Sequence, residues 1–329
     1  MASTSIWNNN KVLKKWVKKN NKKFFDGNFN YDMTNLLSDP LLNTIADKIN
    51  IKKDYVYLAA GSSQIITSLI NLRIWNKILI TLPEFGLYTR GIRENDINHE
   101  AILCLTTEEF VNKFKKIKSC ENDLLCISSP RWFSGERFTD EQINDILNFF
   151  KGTILIDEAY IAFSDNSNGL LNLALKNDRV MVLRSFSKKY FASGFRVGYL
   201  VTKKQITGLR NTFIAPHSIS TYSARFMINL LNDEKILLFF DKVIEYMKKN
   251  RDLLYDYLKN FKNFRVIKSE GNFITLIFEN KEYFDKCFDL LKDLPGIQKF
   301  EMDNVKFIKI WISNEKFSLC VIERINELK

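Results

Sequence analysis

The chain has 329 residues, of which 46% are hydrophobic and 13% aromatic, so it can bury a large core and divide into two lobes. Its formal net charge is +11, and this positive potential favours anionic small molecules as partners. The lysines are scattered without a basic block, which argues against binding to nucleic acid. The five cysteines lack CxxC spacing, which indicates reduced thiols and a cytoplasmic protein. No secretory signal, membrane-spanning run or metal-ligand cluster is visible in the sequence.

The first unit with a chemical implication begins at a predicted strand, Val56–Ala59. Ser62 and Ser63 follow it directly, and an apolar run over residues 65–72 continues as a helix. Backbone N–H groups and two hydroxyls then lie at a positive helix terminus, which suits a phosphate group. The alternative is local, because serine at a helix start is often only an N-cap.

Two more predicted strands end in turns that carry aromatic and charged side chains. Residues 77–82 lead to Phe85, and residues 124–127 lead to Arg131 and Trp132. Phe85 offers a flat face on which another ring can stack, although it can equally be one core residue among 27 phenylalanines.

A central strand is predicted over residues 153–156, with Asp157 at its carboxyl end. An ionised carboxylate there is costly unless it has a cationic partner. The protonated ring nitrogen of a pyridine would be such a partner. Asp157 could instead cap the following turn, which runs through Glu158 and Ala159 to Tyr160.

The next strand, residues 180–183, leads to Lys188, which Ser185 and Ser187 flank and Arg196 follows eight positions later. Open α/β sheets bind ligands at the carboxyl edge of their strands. An amine for an aldehyde and donors for a phosphate are what a pyridoxal phosphate (PLP) site requires. The alternative is that the adjacent lysines form a solvated surface.

The Ser-x-Ser-Lys motif followed by Gly194-x-Arg196-x-Gly198, the Asp157–Tyr160 string and, more loosely, Pro83–Tyr88 resemble the class I/II aminotransferases of fold type I, especially the histidinol-phosphate aminotransferase branch. The resemblance runs from about residue 33 to 320. It implies an α/β fold with a mostly parallel seven-stranded-type sheet in a large domain, plus a small α+β domain. We expect an amino-terminal arm over residues 1–30, a large PLP-binding domain over 31–225 and a small domain over 226–329, assembled as a homodimer.

The resemblance also implies roles for individual residues. Lys188 would be the Schiff-base lysine, Asp157 would keep the ring nitrogen protonated, and Tyr160 would contact the phenolic oxygen of PLP. Phe85 would stack on the ring. The residues that would anchor the phosphate are Ser62, Ser63, Ser185, Ser187 and Arg196.

Three departures from the family pattern concern the cofactor, the substrate and the subunit contact. Trp132 replaces an asparagine that donates to the phenolic oxygen, although its indole N–H is also a donor. Lys309 replaces an arginine that clamps the substrate α-carboxylate, and lysine cannot make that planar two-pronged contact, so Arg131 is the alternative cation. Leu37 and Ser38 stand where the family has a tyrosine and proline that reach the neighbouring subunit.

The sequence therefore predicts a PLP-dependent aminotransferase that exchanges an amino group with a small substrate, with phosphorylated compounds among the candidates because the chain is positively charged. One alternative is a decarboxylase similar to threonine-phosphate decarboxylase. Another is a PLP-binding or regulatory protein without turnover. His217, one of only two histidines, is predicted to be structural. No nucleic acid, membrane or metal partner is expected.

Overall fold

A computed structural model describes residues 6–7, 10–24, 38–206 and 218–328. The predicted arm is therefore described only over Ile6, Trp7 and residues 10–24, and the Leu37 and His217 predictions lie outside the described residues. Within these ranges, no helix combines the length and the apolar character that crossing a bilayer requires.

The larger sheet has seven strands in the spatial order β1-β7-β6-β5-β4-β2-β3. Its strands are β1 (Val56–Ala59), β2 (Lys77–Leu82), β3 (His99–Leu103), β4 (Asp123–Ser128), β5 (Thr153–Asp157), β6 (Val180–Ser185) and β7 (Gly198–Val201). Strands β2 to β6 pair in parallel, whereas β7 is antiparallel to both of its neighbours. All residues of β4 and β5 are buried, which explains why their sequences are nearly continuous apolar runs.

Helices cover this sheet. They are α1 (Lys11–Phe24), α2 (Ser38–Ile49), α3 (Ser62–Asn71), α4 (Gly86–Glu94), α5 (Thr107–Phe114), α6 (Asp140–Phe149), α7 (Leu171–Lys176) and the short α8 (Phe186–Lys189). Side-chain caps set several of their starts. Thr139 and Gln142 form a reciprocal capping box at α6, and the Thr106 hydroxyl accepts the Glu109 N–H at α5.

The carboxyl-terminal part of the chain builds an antiparallel sheet in the order β10-β11-β9-β8. Its elements are α9 (Thr221–Leu231), α10 (Glu234–Leu258), β8 (Arg265–Val266), β9 (Phe273–Phe278), α11 (Lys281–Leu291), β10 (Ile297–Met302), β11 (Val305–Trp311) and α12 (Glu315–Ile325). The α/β architecture with a second, smaller sheet is thus confirmed. The domain boundary near residue 225 stays a prediction, and that position lies within α9.

A loop after β4, residues 129–136, connects the two sheets. The Thr275 hydroxyl of β9 donates to the Phe133 carbonyl at 2.6 Å, and the Lys309 amine of β11 donates to the Trp132 carbonyl at 2.6 Å. The Glu270 N–H donates to the Gly135 carbonyl at 2.7 Å. The carboxyl edge of the large sheet therefore faces the small sheet across this loop, and the candidate site lies there.

Candidate active site

Lys188 lies in α8, directly after the carboxyl end of β6. Its Nζ is 5.1 Å from the ring centroid of Tyr160 and 5.2 Å from that of Trp311. Burial lowers the pKa of Lys188, and the nearby charge of Asp157 partly opposes this. An amine that loses its proton more easily is a better nucleophile toward an aldehyde.

Lys189 faces a different space, although it is the next residue. It lines a separate cavity of about 600 Å³, together with Tyr190, Asp241 and Glu158, and Lys188 lies outside that lining. Because α8 turns the two lysines apart, only Lys188 shares surroundings with Asp157 and Tyr160. Of the predicted cofactor-binding residues, Ser185 also borders this cavity, whereas Lys188, Asp157 and Tyr160 do not.

Asp157 ends β5, next to the strand that leads to Lys188. Its Oδ1 accepts the Ala159 N–H at 3.0 Å, and its Oδ2 accepts the Tyr88 hydroxyl at 3.1 Å. Burial raises the pKa of Asp157 to about 7, and the charge of Glu84 adds to this effect. Both oxygens meet uncharged donors, so this carboxyl suits a cationic partner that the described residues do not supply.

Tyr160 packs edge-on against Phe273, with ring centroids 5.3 Å apart. Burial raises the pKa of Tyr160, and the charges of Asp157 and Glu84 raise it further. Its hydroxyl therefore stays protonated at neutral pH and remains a hydrogen-bond donor.

The predicted phosphate anchors meet at the start of α3. Gly61 precedes this helix with φ of 79° and no side-chain cap, and the Nη2 atom of Arg196 lies 3.5 Å from the Ser63 hydroxyl. A Cβ on Gly61 would lie 2.7 Å from Arg196 Nη2, and one on Gly198 would lie 2.6 Å from the Ser62 N. Only glycine permits these approaches, which leave the helix N–H groups beside a guanidinium.

Ser185 and Ser187 lie at the same edge. Ser185 pairs with Gly198, and Gly198 pairs with Ala59 on its other side, so β6 and β1 end where β7 begins. The Ser187 N–H donates to the Ser185 hydroxyl at 3.2 Å. Arg196 has φ of 51°, an uncommon conformation for a residue other than glycine, and its Nη1 donates to the Ser193 carbonyl. This backbone turn directs the exposed guanidinium toward the start of α3.

Phe85 stands at the other side of the site, immediately before α4. Its side chain is 39% exposed, whereas the flanking motif residues Glu84 and Tyr88 are buried. Its ring is 6.5 Å from that of Trp132 at an angle of 45°. A partly exposed ring at this edge has the geometry of a stacking platform.

Trp132 contacts the small sheet. Its indole meets Phe300 and Phe307 edge-on, with centroids 5.5 and 6.2 Å away. The backbone N–H of Trp132 donates to the Ser128 hydroxyl at 2.8 Å. These contacts place Trp132 at the junction of the sheets; the predicted contact of its indole with the cofactor's phenolic oxygen stays a prediction.

The two predicted substrate residues are buried in different surroundings. Arg131 is 1% exposed, and its Nη2 donates to the Cys104 carbonyl at 2.9 Å, away from the Lys188 group. Its Nε and Nη1 have no hydrogen-bond partner among the described residues. Lys309 is fully buried and is close enough for the charge of Lys188 to act on it.

Two site residues were not predicted individually. Tyr88 holds Asp157, and Glu84 is a buried carboxylate that accepts from the Thr81 hydroxyl at 3.0 Å, the Ser128 hydroxyl at 2.7 Å and the Phe85 N–H at 2.7 Å. Both belong to the Pro83–Tyr88 turn that the sequence analysis selected for Phe85. Open α/β sheets bind ligands at the carboxyl ends of their strands. Because this turn follows such an end, its other polar side chains are site candidates for the same reason.

The chain matches the family "Aminotransferase class I and II" over residues 6–302. It belongs to this family. A histidinol-phosphate aminotransferase from Methanococcus aeolicus is 27% identical over 263 residues, which cover 77% of this chain and 69% of that protein. The crystal structure of the histidinol-phosphate aminotransferase from Clostridium acetobutylicum has a TM-score of 0.74 at 21% identity and covers 95% of each chain. That of Sinorhizobium meliloti, in complex with pyridoxal-5'-phosphate, has a TM-score of 0.75 at 13% identity and covers 97% of this chain and 88% of its own.

The chain is therefore a PLP-dependent aminotransferase of fold type I, similar to histidinol-phosphate aminotransferases. The residues present fit the cofactor. A buried carboxyl without a cationic partner suits the ring nitrogen, and the space beside Gly61 that a Cβ would fill suits the phosphate. Across the described ranges, no group of three or more His, Cys, Asp or Glu side chains is arranged to hold a metal ion.

Proposed function

We propose that this aminotransferase works through Lys188 as its Schiff-base lysine and exchanges an amino group with a small substrate. Phosphorylated compounds remain among the candidates, since the chain is positively charged. The observation that carries the proposal is the grouping of Lys188, Asp157 and Tyr160 at adjoining strand ends, with the Arg196 cradle at the same edge.

Lys188 would act twice. Its amine would first hold the cofactor through the aldehyde carbon. Once a substrate amine has displaced it, the freed Nζ would move a proton at the substrate Cα, because a lowered pKa increases the fraction of the amine that is free to accept one. The Tyr160 ring beside Nζ limits where the amine can move.

The other residues would fix and polarise the cofactor. When bound, PLP supplies an electron-withdrawing ring that accepts the electron pair released at the substrate Cα. Asp157, oriented by the Tyr88 hydroxyl, would keep a proton on the ring nitrogen. Ser62 and Ser63 at the start of α3, together with Arg196, Ser185 and Ser187, would hold the phosphate and so fix the position of the cofactor.

For the substrate we propose that Lys309 faces the reacting group. The Trp311 ring, over which both Lys188 and Lys309 lie, supports this placement. Arg131 remains the second candidate, supported by its unpartnered Nε and Nη1 atoms. A homodimer, which the resemblance implies, and a cytoplasmic location, which the cysteine spacing indicates, complete the proposal.

The test is a half-reaction. Purified holoenzyme is mixed with phosphoserine, histidinol phosphate or glutamate in turn, and the absorbance change on amination of the cofactor is followed together with any release of CO2. We expect amination with at least one amine and none in Lys188→Ala. Release of CO2 in place of a keto product would favour the decarboxylase alternative, and a cofactor that stays unchanged would favour the protein without turnover.

A further inference from the structure

Lys309 occupies an unusual position for a lysine. It lies in the middle of β11, paired with Thr275 and Gln298, and is fully buried. Its Nζ donates to the Trp132 carbonyl at 2.6 Å. Its remaining surroundings are aromatic, with the ring centroids of Phe273, Trp132 and Trp311 at 3.7, 4.3 and 4.8 Å.

Two ionisable groups face this amine from other elements. Lys188 of α8 lies over the same Trp311 ring and, while its own amine is free and charged, disfavours a second positive charge, whereas Glu84, just after β2, favours one. Glu84 is already engaged by two hydroxyls and one N–H group, and Lys309 forms no ion pair within the described part of the chain. Burial, reinforced by Lys188, lowers the pKa of Lys309 well below its usual value.

An anionic group on a substrate carbon next to Lys188 would meet Lys309 before any of the other cations considered. Arg131 is turned toward Cys104, and Arg196 lies at the start of α3. A neutral amine attracts a carboxylate only weakly, and burying an unpaired carboxylate among aromatic rings is costly. Because burial lowers the pKa of Lys309, we expect a carboxylate bound beside it to favour uptake of a proton by its Nζ.

We propose that Lys309 sets the substrate class of this site by proton uptake: an amine without a carboxylate enters the pocket as it stands, whereas a carboxylate binds only together with one proton, which Lys309 takes up. The proposal rests on the proposed function, because it assumes that the reacting carbon lies beside Lys188. The aromatic rings around Lys309 supply an apolar wall for both kinds of substrate.

The test uses two probes that differ in charge and do not titrate near neutral pH. Binding of 3-phenylpropionate and of 3-phenylpropanamide to the holoenzyme is measured by calorimetry between about pH 6.5 and about pH 9.5, in two buffers of different ionisation enthalpy. We expect the carboxylate to bind with uptake of up to one proton and to lose about tenfold in affinity per pH unit above the pKa of Lys309. The amide should bind without proton uptake and independently of pH.

Two variants provide matched controls. In Lys309→Arg the cation is permanent, so carboxylate binding should lose its pH dependence and its proton uptake. In Lys309→Met there is no proton acceptor, so the carboxylate should bind weakly at every pH while the amide still binds. Wild-type carboxylate binding without proton uptake, or failure of both probes to bind, would overturn the proposal.

A ligand-free measurement separates this proposal from the proposed function. If Lys309 is neutral when folded and charged when unfolded, the unfolded chain binds more protons, so the apoprotein gains stability relative to Lys309→Met as pH rises toward about 10. A stability difference that does not change with pH would contradict a neutral Lys309. Reduction of the cofactor onto Lys188 in the same preparations reports on the proposed function, whichever way the Lys309 result falls.

Discussion

At the scale of single residues, the decisive group is the Asp157 carboxyl. It is 6% exposed and is held by the Ala159 N–H and the Tyr88 hydroxyl, both uncharged. Its pKa of about 7 compares with about 3.9 in an unfolded chain, so the folded apoprotein binds more protons between these pH values. The apoprotein should therefore lose stability as pH rises through this window.

We predict opposite effects of Asp157→Asn on stability and on turnover. The unfolding free energy of the variant apoprotein, taken relative to wild type, should rise by on the order of 2–4 kcal/mol from pH 4 to pH 8, because the amide cannot ionise. The holoenzyme should retain PLP through the phosphate anchors but lose about two orders of magnitude or more in kcat. Urea unfolding and single-turnover kinetics measure the two effects.

The exposed Asp145 provides the control, since Asp145→Asn should change neither quantity. Unimpaired turnover in Asp157→Asn would remove Asp157 from the catalytic residues.

A single site residue can be predicted from the sequence when a short motif around it indicates its role, and not when its role depends on contacts with distant segments. Lys188 and Asp157 follow from short motifs at the ends of apolar runs. The contact of Tyr88 with Asp157 does not, because 69 residues separate them and their approach depends on β4 lying between β2 and β5. The aromatic surroundings of Lys309 likewise depend on rings from three separate segments.

At the scale of elements, a buried ion pair fixes the ends of β5 and β6 beside the site. Arg184 Nη2 lies 2.8 Å from Glu158 Oε2, and Glu158 is 1% exposed. The Leu170 N–H donates to the other Glu158 oxygen at 2.6 Å. The pair therefore connects β5, which ends at Asp157, and β6, which leads to Lys188, with the loop before α7.

We predict that Arg184→Met destabilises the protein by roughly 3–5 kcal/mol, because it leaves the Glu158 carboxylate buried without a cation. The double variant Arg184→Met with Glu158→Gln should recover a large part of this loss, since no buried charge remains. Urea denaturation of the three proteins measures the coupling. Equal stability of the single and double variants would show that the charge of Glu158 is not what the arginine compensates.

The elements themselves were predictable where burial is complete. The apolar runs of β4, β5 and β6 identified these strands, whereas β3 and β10, at the sheet edges, alternate exposed and half-buried residues and were not identified. In the sequence alone, residues 222–261 show one long helical pattern rich in Leu, Ile, Phe and Lys. The structure divides it, because Asp233 caps α10 and also accepts the Trp16 indole N–H at 2.8 Å, a contact across 217 residues.

At the scale of the whole molecule, the site lies where the large sheet, the loop over residues 129–136 and the small sheet meet. Phe85 and Arg196, at opposite sides of the site, are both exposed in the single chain. A second subunit could cover them, which agrees with the homodimer that the resemblance implies.

We predict that the protein is a homodimer in solution. Light scattering of the holoenzyme should give twice the chain mass of 38.6 kDa over the concentrations at which the enzyme is active. A stable monomer that still catalyses amino-group exchange would show that one chain completes the site alone.

The central claim is that Lys188, and not its neighbour Lys189, bonds to the cofactor. The measurement that tests it most directly is borohydride reduction of the holoenzyme followed by peptide mapping, applied to wild type, Lys188→Ala and Lys189→Ala. Because Lys188 lies beside Tyr160 while Lys189 lines the separate cavity, the account predicts a reduced adduct on Lys188 in wild type and in Lys189→Ala, and none in Lys188→Ala. An adduct mapped to Lys189, or one that persists in Lys188→Ala, would contradict it.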